Sequence, residues 1–506
     1  VKPRPLALAA ALTLAALPAS ADRIIDMATS FQIRSMDPAN QGFWMQEFGQ
    51  GELLMKFQPD GTITPWLAES LERTDDTTWI ITIRDGVTFQ NGKVMDVPAV
   101  LAAIEYHRER NSGTQAQVPA EATFTQTGTR EITVRTGVPM PELPSILAHE
   151  NRLMIIDVEP VLAAGEDFEA LEGAGIHTGP FKLVDLDEQR MIAERHEGYW
   201  RGMPTMEGVH LRFVSDANAR ILAVQNGEVD IALYPPISAG PVFAATPNVN
   251  LALGAPSTGG FLGIMNVSDG AFEEVAVRKA VMLAVAYAEL ANEVFHGAKI
   301  PATGLYNPRF PWAVENYRHD VDAANTLLDD AGWVRDGDTR MRDGETLSVT
   351  LLIYPPQPDL VPLSNAMQSY LREIGIEADI SSVDNINEAA GNALVPWDLA
   401  LVATGTATVG SVSGFLNRYV ACKGDRNHGG YCNERVNKLI EALDVTMNEE
   451  TRYEMLREIQ AILVEEDPYV FNATILIERA LVTDAWSDYV PAVAWNRIKW
   501  DTAPNE

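Results

Sequence analysis

Two cysteines, Cys422 and Cys432, are all that 506 residues contain, and they stand ten positions apart in FLNRYVACKGDRNHGGYCNE with His428 between them. A Cys-x-x-Cys redox motif is absent, and so are the three or four ligands at characteristic spacing that a structural metal site needs. Positive charge is equally scarce. Lys and Arg number 38 against 70 Asp and Glu, a formal charge of −32, which makes nucleic acid and anionic membrane surfaces poor partners. After the N-terminus no run of 18 apolar residues occurs, so no later segment reads as a membrane-spanning helix.

Catalytic signatures are also wanting. GAGIHTG at 173–179 lacks the G-x-G-x-x-G order and follows an acidic stretch rather than a strand. GSVSG at 410–414 has Val where a nucleophile elbow needs Ser. No H-E-x-x-H is present, the eight histidines lie far apart, and pairs such as Asp329-Asp330 read as a hydrated helix face. Repeats, low-complexity tracts and flexible linkers are missing too.

What is present begins with VKPRPLALAAALTLAALPASA. Lys2 and Arg4, an apolar run from Leu6 to Leu17 and Ala19-Ser20-Ala21 have the order of a secretory signal peptide, over residues 1–21. A membrane anchor is the alternative, but the run is shorter than the roughly 20 residues that span a bilayer. Export to the periplasm is therefore expected, and in an oxidising compartment the two cysteines read first as a disulfide. The remaining length is too great for one core and predicts two or three domains.

Strand and helix patterns are mixed without a strict βαβ rhythm. RIIDMATSF, EITVRTG, RMIAERH and GVHLRFV alternate like strands, and TTWIITIRDGVTFQNGKVM predicts a hairpin around its Asp-Gly and Asn-Gly turns. DVPAVLAAIEYHRERN, ERVNKLIEALDVTMN and ETRYEMLREIQAILVEED carry helical apolar spacing, and VAVRKAVMLAVAYAELANEVF reads as one long helix. Trp44, Trp66, Trp79, Tyr199, Trp200, Trp312, Trp333 and Trp397 are the aromatics available for core packing or a cleft wall. The pattern predicts an α/β protein of two compact lobes that share crossing segments, a form suited to closing on a small ligand.

Several blocks then resemble the extracellular family 5 of solute-binding proteins, the peptide/nickel class that serves ABC importers. LLMKFQPDGTITPWLAESLE is similar to that family's opening block and WIITIRDGVTFQNGKVMDV to its signature hairpin. IHTGPF at 176–181, NGEVDIA, VRKAVMLAVAYAELANEVFHGAKIPATG and AANTLLDDAGW follow in the family's order. The resemblance implies the two-lobed periplasmic binding protein fold of the class II, cluster C type. Residues 22–260 would form lobe I, with 481–506 returning to it, and residues 261–480 would form lobe II, with ligand held between them. It also implies a small-molecule ligand, an inner-membrane ABC permease as partner, no nucleic acid, a monomer, no enzymatic activity and no cofactor beyond a metal chelate carried as cargo. The alternatives are a periplasmic sensor or chaperone module on the same fold, or a secreted hydrolase with dispersed catalytic groups.

Ligand identity is where the chain departs from its relatives. Peptide-binding members place an Asp before a D-P-x-x-F-L string to pair with the peptide's amino group. The corresponding segment here, TGTATVGSVSGFL, puts Thr408 at that place and Ser411 and Ser413 further on. A hydroxyl cannot supply the charge that a buried ammonium needs, so simple peptides are disfavoured. By the nickel-binding pattern, His428 would reach a metal held as a chelate. Arg108, Arg110 and Arg152 would anchor carboxylates, and His177 and Trp397 would face the cleft.

Overall fold

The computed structural model describes residues 23–58, 60–236, 246–354, 357–491 and 497–505. The signal segment, 1–21, lies outside them. Eleven strands form one continuous sheet: β1 (Ile24–Thr29), β2 (Phe181–Leu186), β3 (Arg190–Arg195), β4 (Gly208–Phe213), β5 (Ile231–Leu233), β6 (Val249–Met265), β7 (Lys299–Pro301), β8 (Ser348–Ile353), β9 (Glu377–Ser382), β10 (Leu399–Gly405) and β11 (Val470–Thr483). Their order across the sheet is β9-β8-β10-β6-β11-β5-β1-β4-β3-β2, with β7 alongside β11. One lobe carries β1 to β5 and the other β7 to β10.

The two longest strands, β6 and β11, run antiparallel from one lobe into the other. Their pairing breaks register between Leu253 and Pro256, between Pro256 and Gly260, and again at Phe261 and Leu262. Pro256 cannot donate to a ladder and Gly259 and Gly260 carry no side chain to pack, so the sheet is weakest where it passes between lobes. At Gly260 a Cβ would stand 2.0 Å from the amide end of the buried Asn472 side chain, which would have to move to admit it.

A separate four-stranded antiparallel sheet, Ala68–Asp75, Thr78–Ile83, Glu131–Arg135 and Thr123–Gln126, packs with the helix Val97–Arg110 and extends the first lobe. That helix starts where Asp96 accepts the Ala99 N–H at 2.9 Å with Pro98 just inside. Asn111 both ends it and caps the next helix, Ser112–Gln117, by accepting the Thr114 N–H at 2.7 Å. This cap aims the short second helix at the opposite lobe.

Two expectations need correction. Thr78–Ile83 does not fold onto the segment after Asp85-Gly86; it pairs with Ala68–Asp75 through a turn in which Asp75 accepts the Thr77 N–H, and with Glu131–Arg135. Period-2 alternation states that a strand exists and says nothing about its neighbour. Only a small hairpin, bridged at Thr88 and Val94, surrounds Asn91-Gly92. The long helix is also broken. Val275–Ala284 stops at Val285, and Tyr287–Glu289 leads into a wide turn at Leu290–Val294. Asp320 N–H takes the Leu283 carbonyl and the Tyr287 hydroxyl takes that of Met282, so donors from outside the helix satisfy the carbonyls that a continuation would use.

Cys422 and Cys432 are bonded to each other with their Cα atoms 4.4 Å apart. Replacing both with Ser should lower stability by about 2–3 kcal/mol in the chain-entropy picture of a short closed loop. Denaturant melts check this, and a midpoint unchanged from the parent would show that the surrounding packing already holds the loop.

Candidate functional site

Between the lobes lies a cleft of about 910 Å³. The first lobe contributes the helix Ser112–Gln117, the Pro-rich turn Val138–Glu142 and the stretch to Arg152. The second contributes the end of β10, the turn through Ser411 and the segment Ser413–Asp425. Apolar wall comes from Met140, Ile146 and the pair Phe415 and Tyr419, whose rings stack at 5.4 Å.

Arg152 is the cation at the centre of the first lobe's wall. Its Nε donates to Gln117 Oε1 and its Nη1 to the Asn151 carbonyl, both at 2.7 Å, so both of its partners are neutral. The guanidinium lies against Gly113, where a Cβ would come within 2.5 Å of Nη1; glycine at that point is what admits it. Burial lowers its pKa from the ordinary arginine value and pushes the carboxyl of Glu150, buried behind it, up to about 7 against the pull of Arg152. A carboxyl that is half protonated near neutrality leaves much of the Arg152 charge uncompensated.

His149 lines the same wall. Its Nδ1 accepts the Asn151 N–H at 3.2 Å, which assigns the proton of the neutral ring to Nε2. Burial, with Arg152 adding to it, drives its pKa well below the usual histidine range, so the ring stays a neutral donor.

Opposite them, Thr408 to Ser411 form a tight turn closed by the Ser411 N–H on the Thr408 carbonyl at 2.9 Å. Val409 and Gly410 both have positive φ, 52° and 76°. For a β-branched residue such as Val409 this is a strained conformation, held because its side chain is buried in the core. The Thr408 hydroxyl lies over Gly405, where a Cβ would be 2.5 Å away.

The cleft thus gathers Thr408, Ser411, Ser413 and Arg152 among the residues singled out in the sequence. Ser411 has a partner already: its hydroxyl donates to Glu142, whose other oxygen accepts from Arg452 at 2.9 Å. The remaining residues stand elsewhere. Arg108 donates to the Ala120 carbonyl and Arg110 pairs with Glu109, both on the outer side of their helix terminus. Trp397 is packed in the core. His177 is buried beneath the first lobe, pushed down to about 3 by burial with His107 adding to it. His428 is half-buried on the strapped loop with its ring against Gly391, outside the cleft lining. Among the described residues no group of three or more His, Cys, Asp and Glu side chains is arranged to hold a metal ion.

Sequence reasoning passed over His149, Gln117, Glu142 and Arg418. The Pro-flanked string VPMPELPS places Glu142 in a loop, and nothing in it points to partners that lie on the other lobe. Arg418 is occupied by Asp425, at 3.0 and 3.1 Å.

The nickel-binding protein NikA of Staphylococcus aureus is 25% identical over 432 residues, covering 84% of this chain and 83% of the relative. The glutathione-binding protein GsiB of Salmonella paratyphi A is 26% identical over 489 residues, covering 92% and 91%. The crystal structure of NikA from Brucella suis in complex with Fe(III)-EDTA superposes with a TM-score of 0.84 at 22% identity, over 96% of this chain and all of that one. The model of the bacterial extracellular solute-binding proteins, family 5, matches residues 62–427, and the two-lobed chain described here belongs to that family.

Proposed function

We propose that the chain is exported to the periplasm and captures a small carboxylate-bearing ligand between its lobes. It then delivers that ligand, without turnover, to the inner-membrane permease of a peptide/nickel-type ABC importer. The supporting observation is Arg152, a half-buried cleft guanidinium whose hydrogen-bond partners are all neutral. Around it the cleft offers donors, the His149 Nε2–H and the Thr408 hydroxyl; of its carboxylates, Glu142 and Asp425 are paired with Arg452 and Arg418, and Asp444 accepts from Asn417 Nδ2 at 2.8 Å. Such a lining suits an anionic chelate or a ligand lacking a free amine. At Thr408 a peptide's ammonium would meet a hydroxyl in place of a carboxylate, and a buried ammonium left without a charged partner costs about 3–5 kcal/mol, or at least a hundredfold in affinity. The nickel-binding names of some relatives agree with a metal chelate as cargo, whereas glutathione, named for others, offers carboxylates to Arg152 but also carries a free ammonium. On this reading lobe I is 22–260 with 481–506, lobe II is 261–480, and they rotate about the irregular stretch of β6 and β11.

Titration calorimetry with a panel of dipeptides and tripeptides against nickel plus histidine tests the reading. Simple peptides should bind weakly and Thr408→Asp should improve them. Nickel with histidine should bind more tightly, and His428→Ala should leave that affinity unchanged because the ring stands outside the cleft. Tight dipeptide binding indifferent to Thr408→Asp would sink the proposal.

A further inference from the structure

A second hollow, of about 420 Å³, sits on the first lobe and shares no residue with the inter-lobe cleft. Lys56, Arg201 and Lys499 line it together with Trp66 and Trp500. Lys56 Nζ stands 3.8 Å from the centre of the Trp66 ring. The Arg201 guanidinium lies 4.7, 5.7 and 5.4 Å from the rings of Trp66, Trp200 and Trp500. Contact with an indole face steadies a cation without neutralising it and leaves its N–H donors in place. Among the described residues these three cations make no ion pair, whereas most other arginines of this chain do.

Two carboxylates also border the hollow. Glu52 is spent inward: it accepts from Tyr199 Oη at 2.7 Å, Trp66 Nε1 at 2.8 Å, Thr178 Oγ1 at 2.9 Å and Trp200 Nε1 at 3.1 Å. These four donors fix the indoles that carry the cations. Asp501 remains on the exposed rim. In a chain of charge −32, a concave cluster with three converging, unpaired cations runs against the overall field.

We infer that this hollow is a second ligand site, separate from the cleft, which takes a compact polyanion bearing carboxylate or phosphate groups. Like-charged side chains held together on rigid indoles repel one another, and an anion between them relieves that repulsion as well as forming charge-assisted hydrogen bonds. Lys56 fits the role. Burial lowers its pKa to about 8, with Lys499 and Arg201 pushing the same way, so an anion bound beside it would raise that value.

Inorganic phosphate and citrate, with acetate as the singly charged control, are the probes. They are titrated into the full chain while tryptophan fluorescence and the 13C signal of dimethylated Lys56 are followed. The Lys56 signal is assigned by its absence in Lys56→Arg. Phosphate or citrate should bind saturably, raise the Lys56 pKa by about a unit, and lose at least tenfold in affinity in both Arg201→Gln and Lys499→Gln. Both side chains are exposed, so these variants leave the core intact. Which of the two probes binds more tightly distinguishes a phosphate from a polycarboxylate ligand. Arg152→Ala, which disables the cleft, should leave this binding unchanged, so the site stands or falls independently of the cleft's proposed role. The inference is overturned if neither probe saturates, or if binding survives Arg201→Gln and disappears in Arg152→Ala.

Discussion

Replacing Arg152 with Ala should weaken binding of the cleft ligand by about 30-fold to a few thousand-fold, the equivalent of ~2–5 kcal/mol for removing one partner of a buried charge pair. The size of the effect follows from the site. The guanidinium is half-buried and its own hydrogen bonds go to neutral groups, so a ligand carboxylate would be its only hydrogen-bonded ionic partner. Arg152→Lys should recover only part of the loss. A lysine keeps the charge but not the planar fork that grips a carboxylate at two points and lies flat on Gly113. Calorimetry on both variants checks this, with thermal melts to confirm that they are folded. An affinity for nickel plus histidine that is the same in all three proteins would show that the anchor is elsewhere.

Glu142→Ala should open the molecule. Glu142 belongs to the first lobe, and both of its partners, Ser411 and Arg452, belong to the second; the Glu142 and Arg452 side chains are only 12% and 13% exposed. With the lobes apart both charges would be hydrated, so the pair acts on the closed form alone. Removing Glu142 strands Arg452 at the shut interface and should disfavour closure by about 2–5 kcal/mol. Because ligand is held by the closed form, its apparent affinity falls with the closed population. Small-angle scattering should show a larger radius of gyration for the ligand-free variant than for the parent, and saturating ligand should narrow the gap. A scattering curve identical to the parent's, with unchanged affinity, would remove the latch role. Glu142→Gln should fall between the two, since an amide oxygen still accepts from Arg452 without the charge.

Much of the local structure was readable beforehand because its causes are local. Asp96, Pro98 and the apolar spacing after them specify the helix Val97–Arg110 within one stretch of chain. Asn91-Gly92 specifies its turn, with Gly92 at a φ of 86°. The run Val275–Phe295 misled because its apolar face continues past Val285, while the donor that ends the helix, Asp320, lies 37 residues beyond Leu283, the residue whose carbonyl it takes. In the site, Thr408 and Arg152 were found by block order alone. His149 and Glu142 were missed since neither carries a local signature. Arg108 and Arg110 resemble Arg152 in every property a sequence displays; only the fold separates them, by laying Arg108 over Phe124 and leaving Arg110 on the exposed helix end.

By itself the sequence determined that this chain is an acidic α/β protein with one pair of cysteines and the ordered blocks of family 5, because composition, periodicity and motif order are properties of segments. The tertiary structure alone decided which arginine faces the cleft, that Ser411 is taken by Glu142, and that three cations converge around Trp66 far from that cleft. Those are contacts between residues tens to hundreds of positions apart, and the ones across the cleft depend on how β6 and β11 join the two lobes, which no single segment encodes.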